Sequence, residues 1–205
     1  MKAYKRYKTI KKRARSAFYW RMNRLLFKWN GIKYGENLIV NGFLMLDIAD
    51  TADVVIGDDC FINSGSNINP LAPNRRASLV AEDNAKINIG NHCGFSSGLI
   101  WARKSIEIGN YVNIGADSII IDSDQHSLDY EKRHSLKEDQ AGRKDVSVVI
   151  EDDVLIGTRC IILKGVRIGA RSIIGAGSVV TSDIPSDCIA AGNPAKVIKY
   201  IDNKR

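Results

Sequence analysis

The chain has 205 residues, of which 44% are hydrophobic and 26% charged, with 17 glycines and four prolines. That is the composition of a globular protein with one core of ordinary size, and it excludes a wholly disordered, collagenous or polytopic membrane chain. The formal charge of +7 is unevenly spread: residues 1–35 hold 12 of the 30 Lys and Arg and none of the 23 Asp and Glu, which leaves a mildly acidic remainder of −5 that gives no nucleic-acid signal.

Residues 1–34 read as a basic arm. Tyr4, Tyr7, Ile10, Ala14, Phe18, Met22, Leu25 and Trp29 recur at intervals of three and four, the spacing of one helical face, and no Gly or Pro intervenes before Gly31. Lys5, Lys8, Lys11, Lys12, Arg13, Arg15, Arg21 and Arg24 occupy the other faces. Such an amphipathic helix suits an anionic membrane surface, or it packs on the protein's own body or a sister subunit; nucleic acid is the weaker alternative. The apolar h-region of a cleaved signal peptide is missing, and no run reaches the roughly 18 apolar residues of a membrane span. Cys60, Cys93, Cys160 and Cys188 form no C-x-x-C pair, so a reducing, cytoplasmic setting is expected and no metal site is.

From residue 35 onward a period of six governs the chain. Ile56, Ile62 and Ile68 form one block, Ile89, Phe95 and Trp101 a second, and Ile108, Ile114 and Ile120 a third; the fourth runs Ile150, Ile156, Ile162, Ile168, Ile174 and Val180. A period of six fits neither a helix nor a plain alternating sheet. It predicts short strands joined by tight corners, each coil burying its apolar row on the next. Glycine follows seven of these positions, as in Gly57, Gly115 and Gly157, and is expected to relieve the corner where the backbone leaves allowed space. The residue four further on is small or apolar, which makes Cys60, Cys93 and Cys160 buried structural thiols.

An [Ile/Val]-Gly-x-x-[small]-x unit repeated in this way resembles the hexapeptide-repeat acyltransferases, over about residues 35–199. The stretch from Ile150 to Lys199 is similar to the C-terminal coils and closing segment of the galactoside, maltose and polysaccharide O-acetyltransferases. The resemblance implies an all-β solenoid, a left-handed parallel β-helix over 35–185; handedness cannot come from the period, because most β crossovers are right-handed. An N-terminal amphipathic helix precedes it, and a closing segment and tail with a short C-terminal helix follow at 186–205.

The period stops for 26 residues after Ile121 and resumes in phase at Val148, which predicts an extended, functional loop at 122–147. It opens with Asp122, Asp124, His126 and Asp129. Acyl transfer to a hydroxyl needs a base that takes the proton as attack occurs, and an imidazole suits that task near neutral pH. His126 is therefore the candidate general base, and it matches the catalytic histidine of the resembling enzymes. Asp124 or Asp129 could hold its tautomer, with Asp122 and Asp129 as further candidates for contact with substrate. His92 and His134 are not placed for the role.

The resemblance further implies acetyl-CoA as co-substrate, bound between neighbouring subunits of a homotrimer. Thr158, Ala176 and Lys199 match residues that line the CoA site, and Lys196 in the Gly192-Asn193-Pro194-Ala195-Lys196 motif is a second phosphate candidate. The chain departs from the galactoside enzymes at Leu155, where they carry a tryptophan, and at Ser182, where they carry a lysine that contacts CoA. Its basic arm looks more like the acetyltransferases of capsule, O-antigen and exopolysaccharide assembly. The leading expectation is thus O-acetyl transfer to a sugar hydroxyl in the cytoplasm, peripheral to the membrane. The alternatives are N-acetylation of an amino sugar, nucleotide sugar or drug amine, and a non-catalytic scaffold.

Overall fold

The computed structural model describes residues 2–66 and 68–202; within the arm, the side chains of residues 2, 3, 5, 8–13 and 16 are outside the description. Ile10, Lys5, Lys8, Lys11, Lys12 and Arg13 of the expected stripe and its basic faces therefore lie outside the described side chains.

Three parallel sheets form the three sides of a coil. The first stacks Lys33–Tyr34, Asp53–Ile56, Lys86–Ile89, Ser105–Ile108, Val148–Ile150 and Arg167–Ile168. The second stacks Ile39–Asn41, Phe61–Asn63, Gly94–Ser96, Asn113–Ile114, Leu155–Ile156, Ile173–Ile174 and Cys188–Gly192. The third stacks Met45–Ile48, Ser78–Ala81, Leu99–Ala102, Ile119–Ile121, Ile161–Ile162 and Val179–Val180. Register runs straight up each side, for example Ile62↔Phe95↔Ile114↔Ile156↔Ile174. The inward aliphatics Ile56, Ile87, Ile106, Ile120, Ile156, Ile162 and Ile168 are fully buried along one continuous core. This arrangement fits the expected β-helix.

The period misplaces two residues. The third-sheet column reads Leu46↔Leu79↔Ile100↔Ile120↔Ile162↔Val180, so neither Ile68 nor Trp101 is an inward position. Ile68 lies in an excursion between Asn63 and Ser78 that the coincidental spacing hid. After Phe95 the coil is one residue short, so Ile100 turns inward and Trp101 outward, where its indole N–H donates to Glu82 at 3.1 Å.

The glycine's role also differs from expectation. The glycines after the inward aliphatics have ordinary φ; the left-handed residues fall two positions later, at Asp59, His92, Tyr111, Asp117, Arg159, Arg171 and Gly177. What glycine supplies is close approach. A Cβ on Gly115 would sit 2.5 Å from Thr158 N, and one on Gly157 would sit 2.5 Å from Ala176 N. Asp58, Asn91, Asn110 and Asp152 line one corner, each side-chain oxygen accepting a backbone N–H from the coil before it at 2.6 to 2.9 Å.

The ends are closed differently. Helix α1 (Lys2–Trp29) covers the first coil: Phe27 is fully buried, Asn23 donates to Gly42 O at 2.8 Å, and Tyr19 packs edge-on against Phe43 at 4.9 Å. At the other end the expected short C-terminal helix is absent from the described residues. Cys188–Gly192 reverses through Asn193-Pro194 into Ala195–Tyr200, and the two pair antiparallel. Gly192 at φ +110° makes that reversal, and the returning strand covers the last edge of the second sheet.

Candidate active site

The segment 122–147 is less of a loop than its sequence suggested. It carries a short 3-10 turn at Lys132–His134 and helix α2 (Leu136–Gly142), and its two ends are zipped together. Val146 N–H donates to Asp122 O at 2.7 Å, Asp124 N–H to Lys144 O at 3.1 Å, and Ser123 bridges Asp145. Asp122 is completely buried beneath this zipper, where its carboxylate accepts the Arg103 and Lys104 N–H groups, both at 2.8 Å. Burial pushes its pKa up against the pull of those donors. Asp122 therefore fixes the excursion's root, and its full burial keeps it out of reach of a substrate. A second clamp runs from Glu82 through Arg103, at 2.5 Å, to Gln125 at 3.1 Å.

Gln125 sits in the left-handed region at φ +64° and throws the next side chain outward. That side chain is His126, 71% exposed, with its Nδ1 2.6 Å from Asp139 Oδ2 on α2. The other Asp139 oxygen accepts the Ser127 N–H at 2.7 Å. The imidazole contact, then the Ser127 N–H, with help from Arg133, hold the Asp139 carboxyl below the usual carboxylate range. An ionised carboxylate at Nδ1 can only accept, so Nδ1 carries a proton, and in the neutral imidazole the lone pair falls on Nε2, which faces the surface.

The orienting carboxylate is thus neither of the two expected. Asp124 turns away to pair with Lys164 at 3.2 Å, and Asp129 is exposed and caps the Glu131 N–H at 3.0 Å. Asp139 did carry a signal: Ser135, followed three residues on by Glu138 and then Asp139, is a helix N-terminus pattern. Gly142 seals α2 onto the site, since a Cβ there would sit 2.6 Å from Ser127 Oγ. Of the other histidines, His92 stacks on Tyr111 at 4.6 Å and His134 packs against Tyr130. No group of three or more His, Cys, Asp or Glu among the described residues is arranged to hold a metal ion. The four cysteines are free and buried, and burial pushes the Cys160 thiol up.

The expected CoA residues converge on another part of the coil. Thr158 and Ala176 occupy equivalent corners of successive coils between the second and third sheets, where Gly157 lets the backbones close. Lys196 pairs across the final hairpin with Ala191, whose Cβ abuts the Gly175 corner of the same column. Lys199 pairs with Ile189, further from the corner. The 64–77 excursion leaves the coil at this corner too, and Arg75 and Arg159 both pair there with Asp117. Arg75 escaped the sequence reading because the false repeat position at Ile68 concealed its excursion. Within one chain the corner and the His126 excursion lie at opposite ends of the short third-sheet strands.

The description "Bacterial transferase hexapeptide (six repeats)" matches residues 147–182. Among curated proteins, a 2,3,4,5-tetrahydropyridine-2,6-dicarboxylate N-acetyltransferase of Clostridium perfringens (strain SM101 / Type A) is 55% identical over 56 residues, 27% of this chain and 24% of that protein. A Staphylococcus aureus (strain JH9) enzyme of the same name is 58% identical over 52 residues, 25% of this chain and 22% of its own. The chain thus matches about a quarter of the length of these relatives. Among solved structures, a hexapeptide-repeat acetyltransferase of Vibrio cholerae O1 biovar eltor, complexed with acetyl coenzyme A, is 27% identical with a TM-score of 0.54, covering 88% of this chain and 76% of that one. The polySia specific acetyltransferase NeuO is 27% identical with a TM-score of 0.53, covering 85% and 84%. By its repeat and by its fold, the chain is similar to hexapeptide-repeat acetyltransferases.

Proposed function

We propose that the protein is an acetyl-CoA-dependent O-acetyltransferase acting on a sugar hydroxyl in the cytoplasm, in the assembly of a capsule, O-antigen or exopolysaccharide. The observation that carries this reading is the His126–Asp139 pair: an exposed imidazole whose inner nitrogen is held by a buried carboxylate. His126 Nε2 takes the acceptor's hydroxyl proton as its oxygen attacks the thioester carbonyl. The tetrahedral adduct collapses with cleavage of the C–S bond, and the CoA sulfur leaves with the proton from His126. A hydroxyl needs such a base during attack, whereas an amine already carries a nucleophilic lone pair whenever it is unprotonated. A pure scaffold has no use for the pair at all.

Thr158, Ala176, Lys196 and Lys199 are the residues we assign to CoA. The glycine-relieved corner brings the first three together and adds Arg75 and Arg159 as cations for the cofactor's phosphates. Because this corner and His126 lie at opposite ends of the third sheet, we assign them to different subunits of a homotrimer. The outward side of that sheet supports the assembly. Leu99, Ile119, Ile161 and Val179 stack in register there, whereas the first sheet turns out Lys33, Asp53, Lys86, Glu107 and Arg167.

The second reading, N-acetylation, is favoured by the N-acetyltransferase activity of the C. perfringens and S. aureus relatives. Release of CoA thiol against panels of sugars, glycan oligomers and amino sugars tests both. An acceptor-dependent turnover that His126→Ala lowers by about 10² or more, giving a product cleaved by mild alkali, supports O-acetylation. An alkali-stable product establishes the amide reading, and turnover untouched by His126→Ala removes the base.

A further inference from the structure

Helix α1 has one apolar face more than its docking needs. Tyr19, Asn23 and Phe27 turn onto the first coil. At 100° per residue, Phe18, Leu25 and Trp29 lie on a separate stripe roughly 140° around the helix, and Tyr4 and Tyr7 continue it for about 38 Å in all. These five side chains are exposed, Trp29 to 76% and Phe18 to 55%. Exposed Arg21 and Lys28 border one flank of the stripe and exposed Arg15 the other. The coil meets the stripe at Phe18, whose ring lies edge-on to Phe43 at 6.0 Å and is still more than half exposed.

We propose that this stripe is a docking surface for an anionic lipid membrane. Charge selects the occupant: no Asp or Glu occurs in residues 1–35, and the described cations Arg15, Arg21 and Lys28 flank the stripe with no acidic residue of the helix to neutralise them. A plane of anionic headgroups with an apolar interior complements such an edge-to-edge pattern, with aromatic rings entering the headgroup boundary. A second copy presents apolar outward faces on the second sheet, at Ile39, Phe61 and Leu155, and on the third, but neither is a plane of anionic groups. No helix among the described residues is long and apolar enough to cross a membrane, so this contact lies along the surface. The proposal stands independently of the chemistry at His126.

The test is sedimentation of the full chain with phosphatidylcholine vesicles, with and without phosphatidylglycerol. Salt is set at about 0.1 M and about 1 M, between which the screening length falls from about 10 to about 3 Å. The expected result is binding to the anionic vesicles at low salt, weakened at least about tenfold by high salt or by omitting the anionic lipid. The double variant Phe18→Ser/Trp29→Ser, and separately Arg21→Glu/Lys28→Glu, each lose about tenfold or more with circular dichroism and oligomeric mass unchanged. Wild type that stays in the supernatant, or two folded variants that bind as wild type does, overturns the proposal. A fall in oligomeric mass in either variant also overturns it and assigns the stripe to a second copy.

Discussion

Asp139→Asn isolates tautomer control from the architecture of the excursion. Asp139 serves two partners, His126 Nδ1 through one oxygen and the Ser127 N–H through the other. In the variant the carboxamide oxygen keeps the Ser127 contact, which leaves the –NH2 facing Nδ1. Two donors cannot meet, so the imidazole shifts its proton to Nε2, and the lone pair that faced the acceptor is lost. The loss is bounded above by what general-base catalysis supplies, about 10² to 10⁴. Because a minor tautomer remains accessible, we expect kcat to fall by roughly 10² while KM for acetyl-CoA moves less than about twofold. The assay is thiol release under acceptor saturation for wild type, Asp139→Asn and His126→Ala, with thermal midpoints measured alongside. Equal activity of Asp139→Asn and wild type, with His126→Ala inactive, would refute the pairing as a catalytic device and leave Asp139 a structural anchor.

Four further outcomes follow from the same geometry. Gly142→Ala places a methyl against Ser127 Oγ and should lower kcat several-fold by displacing α2, with little change in CoA affinity; unchanged kcat would show that α2 has room to shift. Leu79→Ala should cost roughly 3 kcal/mol, or about 6–12 °C in Tm, whereas Ile68→Ala should cost about 1 kcal/mol or less, and equal losses would restore the strict period. Because its pKa is depressed in the folded state, Asp139 contributes stability that is fully present above about pH 4 and lost as pH falls through its folded value, so the urea-midpoint gap between wild type and Asp139→Asn should narrow steadily as pH falls below about 4. A gap that does not narrow at all in that range would assign the difference to packing. Finally, Ile161→Asp on the third sheet's outward ladder should convert the assembly to monomer by light scattering, and an intact oligomer would place the interface elsewhere.

The coil was legible because a six-residue period demands the same residue at the same place in every turn, and Ile150 to Val180 obeys without exception. Legibility failed where a second pattern mimicked the first. Ile68 and Trp101 fall in phase by arithmetic, yet backbone pairing is set by neighbouring coils, and Leu79 and Ile100 fit the third-sheet column instead. Glycine was misassigned for a related reason. From one chain of letters a glycine signals conformational freedom, but here its missing Cβ matters to the coil above, which the sequence does not place. The C-terminal segment was misread because its strand pairs with the preceding one, and that partnership depends on a reversal at Gly192.

The site divides along the same line. His126 could be picked out from sequence because the repeat's interruption marks it, whereas Asp139 lies 13 residues on and meets it only after α2 folds back. What makes that meeting reproducible is the coil beneath. Asp122 takes two N–H groups from the corner after Trp101, and Glu82 and Arg103 tether Gln125, so the residue before His126 is anchored to two earlier coils. A histidine on an untethered 26-residue loop would sample many orientations and spend little time in any productive one. Here the rigid solenoid sets the direction of the imidazole and Asp139 on α2 sets its tautomer. An enzyme of this plan can therefore vary the outer part of its excursion, around Leu128 and Tyr130, to suit different acceptors while the imidazole stays fixed, and both of those side chains are exposed.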